Sequence, residues 1–352
     1  MVEAKQKEHY EGLNGLRTIS CIAIIIMHIC ANVDYTISGF FYNHVIDSWK
    51  WLVFLFMIIS SFGLCCGYLE RFRNKEIDLE LFYKRRYQKI LPFFALLIAM
   101  NLVLEPSAAN FSEAFLELTL THGLLPNNAP NVIGVGWFLG TIFAFYMMFP
   151  FFSVLMRTKG RAIATLFTTI GINIVCECYY YTGEHMMEGF VASHNFLYCT
   201  PFFALGGVLY HCRNAITAAL CRFRIPTLLC CLLLTIGYYL MPDAVGNVGI
   251  VQYKVLLLFS AWIMYTISFD SKVLNNRATS FISAISLELY LGQMIVFRVI
   301  ERLKLLHLFS NECLCLLVVT LLEMVLLIGF VLVCRYLLQF TEKLLKKRSK
   351  AV

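Results

Sequence analysis

Continuous apolar runs of membrane-spanning length restrict the fold of this chain more than any other feature. Ten such runs of about 17–25 residues follow one another, each long enough for a helix to cross a bilayer. They do not alternate between apolar and polar residues, as the strands of a membrane β-barrel would. Only 14% of the residues are charged, against about 25% in soluble domains. The sequence therefore predicts an all-α, polytopic membrane helical bundle with spans at residues 14–34, 49–69, 88–105, 135–156, 162–181, 194–211, 225–242, 250–269, 281–300 and 312–338.

The distribution of lysine and arginine predicts the orientation of these spans. With ten spans, 24 of the 29 Lys and Arg residues lie in the two terminal segments and in every second connection. Because cytoplasmic loops carry the excess of positive charge, we expect both termini in the cytoplasm. Two connections on the other side, 106–134 and 182–193, contain no Lys or Arg. The first includes SEAFLELTL, an amphipathic segment with a start like a capping box, which we expect at the membrane surface or in a cavity.

The chain is predicted to form one integral membrane domain over residues 1–352, because no polar segment is long enough for a separate domain. We interpret the basic tail 339–352 as a cytoplasmic topology anchor. Residues 1–13 are polar and the next run is long enough to span, so we expect no cleavable signal peptide. The net charge of +7 is spread over the loops and predicts no nucleic-acid partner. Most of the 14 cysteines lie in apolar runs, and their spacing predicts no metal site.

Arg17 and His28 are ionisable side chains in the first apolar run. Eleven helical steps of about 100° place them on nearly the same face, about 16 Å apart. Ionisable side chains inside a span are costly and usually functional. Two interpretations stay open: an arginine at the headgroups with a histidine satisfied inside the bundle, or a pair that takes part in chemistry.

A basic cluster, LFYKRRYQKILPFF, precedes the third span. Positive-inside anchoring explains part of it. Arg85 and Arg86 nevertheless lie four and three residues before Lys89, so they share a helix face with it. Such a face suits a polyanion, because the arginine fork matches phosphate oxygens.

Further polar side chains inside the spans are weaker candidates, since hydroxyls and aromatic rings also serve helix packing and the interfacial belt. These candidates are Ser60, Ser61, Trp137, Tyr146, Glu288, Tyr290 and Gln293.

Five of these segments, in order from residue 12 to about 293, resemble motifs of the membrane-bound acyltransferase-3 family. GLNGLRTIS and the later MH resemble that family's first helix through Arg17 and His28. FLFMIISSFG resembles its second-helix serine region through Ser60. FYKRRYQKILPFF is similar to its R-x-x-R segment before a proline, with Lys89 in place of the second arginine.

The other two segments resemble later helices of the same family. WFLGTIFAFYMMFP is similar to its W-x-L helix through Trp137 and Tyr146. ISLELYLGQ resembles its late S-x-x-x-Y-L-x-H element through Tyr290, with Gln293 where many relatives have histidine. Ile142 or Phe143 occupies the place of a mid-helix Glu found in some relatives.

The resemblance implies a ten-span enzyme of the inner (plasma) membrane. It would transfer an acyl group, typically acetyl, from cytoplasmic acyl-CoA to a hydroxyl of an extracytoplasmic or lipid-linked glycan. Acetyl-CoA would be a co-substrate and no metal is implied. The partners would be membrane lipids and the saccharide acceptor, and the oligomeric state is left open.

The resemblance also assigns roles to residues of this sequence. His28 would be the general base, and Arg17 a second anchor or a charge stabiliser near the thioester. Arg85, Arg86 and Lys89 would hold the coenzyme A phosphates. Substrate or oxyanion contacts are expected, in order of position, from Ser60, Trp137, Tyr146, Glu288 and Tyr290.

Two other functions remain open at this point. A transporter or flippase for a lipid-linked sugar would also need buried polar residues and a cavity, although such proteins often contain internal repeats, and none is found here. A family member that has lost its chemistry and acts as a binding subunit is the third interpretation, because of Gln293.

Overall fold

The computed structural model describes residues 10–35, 37–125, 130, 132–241 and 248–349. Within these ranges the chain forms helices, turns and loops and no strand, which confirms the all-α prediction. In chain order, the helical segments of eight residues or more that frame the site are α1 Gly12–Asn32, α2 Phe41–Arg73, α3 Leu79–Leu104, α4 Ala108–Thr119, α5 Trp137–Leu155, α6 Lys159–Tyr180, α7 Phe196–Leu220, α8 Arg224–Leu240, α9 Val248–Ser268, α10 Arg277–Ala284, α11 Ser286–Arg302 and α12 Glu312–Ser349.

The protein is a multi-pass membrane protein. In its described part, seven helices are long and apolar enough to cross a bilayer, or nine if each of two bent pairs is one span. The chain bends by 120° between α7 and α8 and by 68° between α10 and α11. In the described part, nine of the ten predicted runs fall largely on one helix each, whereas the run 281–300 is split by the bend between α10 and α11. The number ten and the cytoplasmic position of the termini stay predictions.

Aromatic rings fill the centre of the bundle between α2, α5 and α7. Phe54 stacks on Phe202 with ring centroids 4.3 Å apart. Helices α2 and α7 approach closely because residue 206 is glycine: a Cβ there would lie 2.5 Å from the carbonyl oxygen of Ile58. Small residues permit this kind of contact in membrane bundles, where packing rather than the hydrophobic effect holds helices together.

Helix α1 lies inside the bundle against α10 and α11. The Thr18 hydroxyl donates a hydrogen bond to the Thr279 carbonyl at 2.8 Å, and the Cys21 thiol donates to the Ser286 carbonyl at 3.5 Å. These bonds fix the first half of α1, which contains Arg17, next to the bend between α10 and α11.

The connection between α3 and α5 begins with a capped helix. Ser107 is the N-cap of α4, and its hydroxyl accepts a hydrogen bond from the backbone N–H of Asn110 at 3.0 Å. The expected capping start at Ser112 is therefore wrong. Because Ser112 is already inside the helix, its hydroxyl donates to the Ala108 carbonyl at 3.1 Å.

The same connection then packs tightly into α5 through the segment Thr121–Leu124. A ring nitrogen of His122 is hydrogen-bonded to the Gly136 carbonyl at 3.0 Å. A Cβ at Gly123 would lie 2.0 Å from the carbonyl carbon of Gly140, so both positions require glycine. The segment Thr121–Leu124 is thus a packed part of the bundle.

Glu117 is a buried carboxyl under this connection, with 1% of its surface exposed. Its Oε1 accepts a hydrogen bond from the backbone N–H of Ile133 at 3.1 Å. Burial raises the pKa of Glu117 to about 7. On the other face of α4, Phe111 and Phe115 are exposed, so the helix is amphipathic, as expected from its sequence.

The last helix, α12, continues through the basic tail as far as Ser349. Its 38 residues correspond to about 57 Å, whereas the hydrocarbon core of a bilayer is about 30 Å thick. The helix therefore projects well beyond the bilayer. Residues 350–352 lie outside the described part.

Candidate functional site

A cavity of about 800 Å³ lies between α1, α2, α3, α5, α11 and α12. Cations line it from three of these helices. Burying charged side chains in a membrane protein is costly, so such residues are usually functional. We call the end of the bundle that holds these cations the basic end. The charged lining residues are the cations Arg17, Arg86, Lys89, Arg335 and Lys346 and the acids Glu288 and Glu342.

A second cavity of about 340 Å³ adjoins the first at the basic end, between the start of α1 and the second half of α2. Five residues line both cavities and so form the boundary between them. The shared residues are Arg17, Ser60, Arg86, Lys89 and Tyr146. The structure thus brings together side chains that the sequence analysis selected from four separate spans.

Arg86 is held in place by aromatic neighbours. Its Nη2 donates a hydrogen bond to the Tyr68 hydroxyl at 2.7 Å. Its guanidinium carbon lies 5.1 Å from the ring centroid of Tyr68 and 5.8 Å from that of Tyr146. Cation–π contacts and a directed hydrogen bond fix the arginine before any ligand arrives.

Lys89 lies one turn further along α3 and lines both cavities, as the spacing predicts. Arg85 does not join them: it is exposed, and the described lining of neither cavity includes it. The cavity linings therefore give no support to the role expected for Arg85 at the phosphates. One helical step of about 100° turns its side chain away from that of Arg86.

The two adjacent serines of α2 serve different purposes. Ser60 lines both cavities. Ser61 is fully buried on the other side of the helix, where its Cβ would lie 2.6 Å from a Cβ built at Gly206. Only Ser60 is available to a ligand, and Ser61 belongs to the α2–α7 contact.

An aromatic row forms part of the cavity wall, level with the start of α5. It consists of Phe56, Phe138 and Tyr290, which all line the cavity. The ring centroids of Phe56 and Phe138 are 6.4 Å apart, and those of Phe138 and Tyr290 are 5.8 Å apart. The Tyr290 hydroxyl donates to the Val135 carbonyl at 3.0 Å, which places the row level with the start of α5.

Glu288 is paired with Arg335, a cation of the last span that no sequence motif singled out. Its Oε1 lies 3.2 Å from Nε of Arg335 on α12. Both residues line the cavity. Sequence spacing gave no signal for this pair, because 47 residues separate its members and only the antiparallel packing of α11 against α12 joins them.

His28 and Arg17 lie at different levels of the bundle. Arg17 lines both cavities, whereas the described lining of neither includes His28. His28 is half-buried four residues before the end of α1, towards the opposite end of the bundle from Arg17. His28 thus lies about 16 Å further along α1 than Arg17, in the direction away from the basic end.

The remaining two candidates do not line the cavity either. The ring of Trp137 stacks on that of His194, with centroids 3.9 Å apart, and its neighbour Phe138 faces the cavity instead. Gln293 is fully buried, and its side-chain amide donates to the Tyr290 carbonyl at 2.8 Å.

The arrangement combines a cluster of fixed cations with an apolar inner end. Such a space can hold a ligand that has several negative charges on one part and an uncharged arm on the other. Its volume lies within the range of about 300–1,000 Å³ that is usual for ligand and cofactor sites.

Comparison with known proteins identifies the family of this chain. A family model described as an acyltransferase domain, that of the acyltransferase-3 family, matches residues 10–339. The O-acetyltransferase OatA of Staphylococcus aureus strains NCTC 8325 / PS 47, COL and MRSA252 is 25% identical over 201 residues. That similarity covers 49% of this chain and 30% of the relative, so the chain spans less than a third of the length of these relatives. No solved structure matches the chain.

Proposed function

Because this chain belongs to the acyltransferase-3 family, we propose that it is a membrane O-acyltransferase. Its donor is an acyl-CoA, for which we propose acetyl-CoA, and its acceptor is a hydroxyl of an extracytoplasmic or lipid-linked glycan. The relatives that match part of the chain carry the name O-acetyltransferase, which supports an acetyl group as the one transferred.

The observation that carries the proposal is the cavity in which Arg17, Arg86 and Lys89 meet. Coenzyme A has several phosphate charges at one end and an uncharged pantetheine arm at the other. The cations suit the phosphates, since guanidinium and ammonium groups are the usual phosphate ligands. The apolar end, at the aromatic row, suits the arm and its thioester.

We assign the reacting groups as follows. His28 takes the proton of the acceptor hydroxyl, which then attacks the thioester carbon and releases coenzyme A as the thiolate. Arg17 anchors the donor on the same helix. Ser60 and Tyr146, which line both cavities beside the cations, contact the donor where its uncharged arm leaves the phosphates.

The position of His28 near the far end of α1 supports this assignment. If the basic end faces the cytoplasm of an inner-membrane enzyme, the donor enters there and the acceptor reaches His28 from the other side. The thioester must then pass the aromatic row, so we propose that Phe56, Phe138 and Tyr290 move apart during transfer.

The experiment has two parts on the full-length protein. First, coenzyme A binding is titrated for the wild type and for the Arg86→Gln/Lys89→Gln double variant, which we expect to bind at least about tenfold more weakly because two charge-assisted contacts are lost. Second, transfer of labelled acetyl groups from acetyl-CoA is followed in membranes. His28→Ala should reduce that transfer by at least about a hundredfold with little change in coenzyme A affinity.

Arg85→Gln is the matched control for the binding part, because it removes an adjacent charge that does not line the cavity. Its affinity should stay within about twofold of the wild type. Wild-type protein that binds no coenzyme A but moves a lipid-linked saccharide across the bilayer would contradict the proposal in favour of a transporter. Undiminished transfer by His28→Ala would remove His28 as the base.

A further inference from the structure

Arg335 is a cavity cation outside every motif discussed above. It lies on α12, near the point where this helix passes the bend between α10 and α11. Its Nε is 3.2 Å from Glu288 Oε1, and its Nη2 donates to the Ala284 carbonyl at 3.4 Å. Ala284 is the last residue of α10. The guanidinium therefore donates a hydrogen bond to a carbonyl at the C-terminal end of that helix, where backbone acceptors lack helical partners.

These two contacts use one edge of the guanidinium. Among the described residues, none accepts a hydrogen bond from Nη1 of Arg335, although the side chain lines the cavity. Glu288 is more enclosed than its partner, with 15% of its side chain exposed against 39% for Arg335. The ion pair and the hydrogen bond therefore engage Nε and Nη2 and leave Nη1 without a described acceptor, in a side chain that lines the cavity.

The charges of the cavity give the second argument. Its carboxylates would repel a polyanionic donor if they were unpaired. Both face cations of α12: Glu288 pairs with Arg335, and Glu342 pairs with Lys346 at 2.5 Å. Pairing Glu288 removes its repulsion and at the same time orients a fork that matches phosphate oxygens.

We propose that Arg335 is a donor-binding residue: held by Glu288 and the Ala284 carbonyl, it presents Nη1 to a phosphate of the acyl-CoA. This inference rests on the proposed function and extends it to the last helix. The alternative is that Arg335 serves only the bend between α10 and α11.

The experiment compares two acetyl donors, acetyl-CoA and acetyl-pantetheine, which has the arm and thioester but no phosphate. Acetyl transfer in membranes gives kcat/KM for each donor, and the ratio of the two values does not depend on how much folded protein is present. In Arg335→Gln the ratio should fall about tenfold, because only acetyl-CoA loses a contact. Arg335→Lys keeps the charge but loses the guanidinium fork, so its ratio should lie between those of the wild type and Arg335→Gln.

Arg298→Gln is the matched control. Arg298 is also paired with a glutamate, Glu105, at 3.5 Å, but outside the described lining of the cavity. Its ratio should equal that of the wild type. If Arg335→Gln slows both donors equally, or neither, Arg335 is only structural and the inference is overturned. The proposed function would still stand if Arg86→Gln/Lys89→Gln weakened coenzyme A binding, and it would fall if the wild type used neither donor.

Discussion

At the scale of single residues, the cations proposed to bind the donor lie apart from the histidine proposed to act as the base. Arg17 and Lys89 lie where the two cavities meet, whereas His28 is nearer the other end of α1. In the proposed reaction the polyanionic donor is therefore held far from the base, and only its uncharged arm needs to cross the apolar interior. The arrangement confines the desolvation cost of phosphate charge to the basic end.

Glu117 allows a prediction at the same scale. Burial raises the pKa of Glu117 from an ordinary 4.5 to about 7. The folded protein thus binds this proton more tightly than the unfolded chain does. The free energy of unfolding should fall as the pH rises from about 4.5 to about 7, by up to about 3 kcal/mol, and this loss is complete above that window.

The measurement is thermal unfolding at pH 5 and pH 8 for wild type and Glu117→Gln. The glutamine is neutral at both values and keeps an oxygen for the N–H of Ile133. We expect the wild type and Glu117→Gln to be similarly stable at pH 5, and Glu117→Gln to be the more stable of the two at pH 8. A stability difference that does not change between the two pH values would show that Glu117 is not the group responsible.

At the scale of elements, the sequence predicts the spans better than their connections. The hydrophobic runs locate the helices, because length and apolar composition suffice for that, but they do not predict the bend inside the run 281–300. The close packing of Thr121–Leu124 on α5 was not predictable, since it depends on Gly123 and Gly140, which are distant in sequence. The helical tail and the Arg335–Glu288 pair were missed because positive charge near a span end suggests only orientation.

The contact between Thr121–Leu124 and α5 gives a prediction for Gly140. A Cβ there would lie 2.4 Å from Nε2 of His122 and 2.7 Å from the backbone nitrogen of Gly123. Gly140→Ala must therefore push the segment off the helix, at a cost of about 1–3 kcal/mol. The measurement is the melting temperature of the purified protein, which should fall by several degrees.

Gly171→Ala is the control for that substitution. Gly171 lies inside α6, and a Cβ there would meet nothing within 4 Å. Alanine should stabilise the helix slightly, by about 0.5–1 kcal/mol. Equal melting temperatures for Gly140→Ala and wild type would contradict the close contact between Gly140 and the segment Thr121–Leu124.

At the scale of the whole molecule, the orientation decides which substrate enters where. The basic connections and the tail, to which Lys346 of the cavity lining belongs, should all lie on one side of the membrane. Because acyl-CoA is made and kept in the cytoplasm, the proposed function requires that side to be cytoplasmic.

Reporter fusions test this orientation. A fluorescent protein that folds only in the cytoplasm should be bright when it is fused after Val352, and alkaline phosphatase, which is active only outside, should be inactive there. The same pair inserted after Glu184, in the connection free of Lys and Arg, should give the reverse result. Activity of phosphatase at the C-terminus would contradict both the orientation and the donor side.

The aromatic row has a consequence for the cell as a whole. A water-filled cleft that ran from face to face would let protons flow down their electrochemical gradient and discharge the energised membrane. We expect the three packed rings, with the Tyr290 hydroxyl hydrogen-bonded to the Val135 carbonyl, to block such a path at rest. The proposed transfer would then require the rings to admit an acetyl group while they keep protons out.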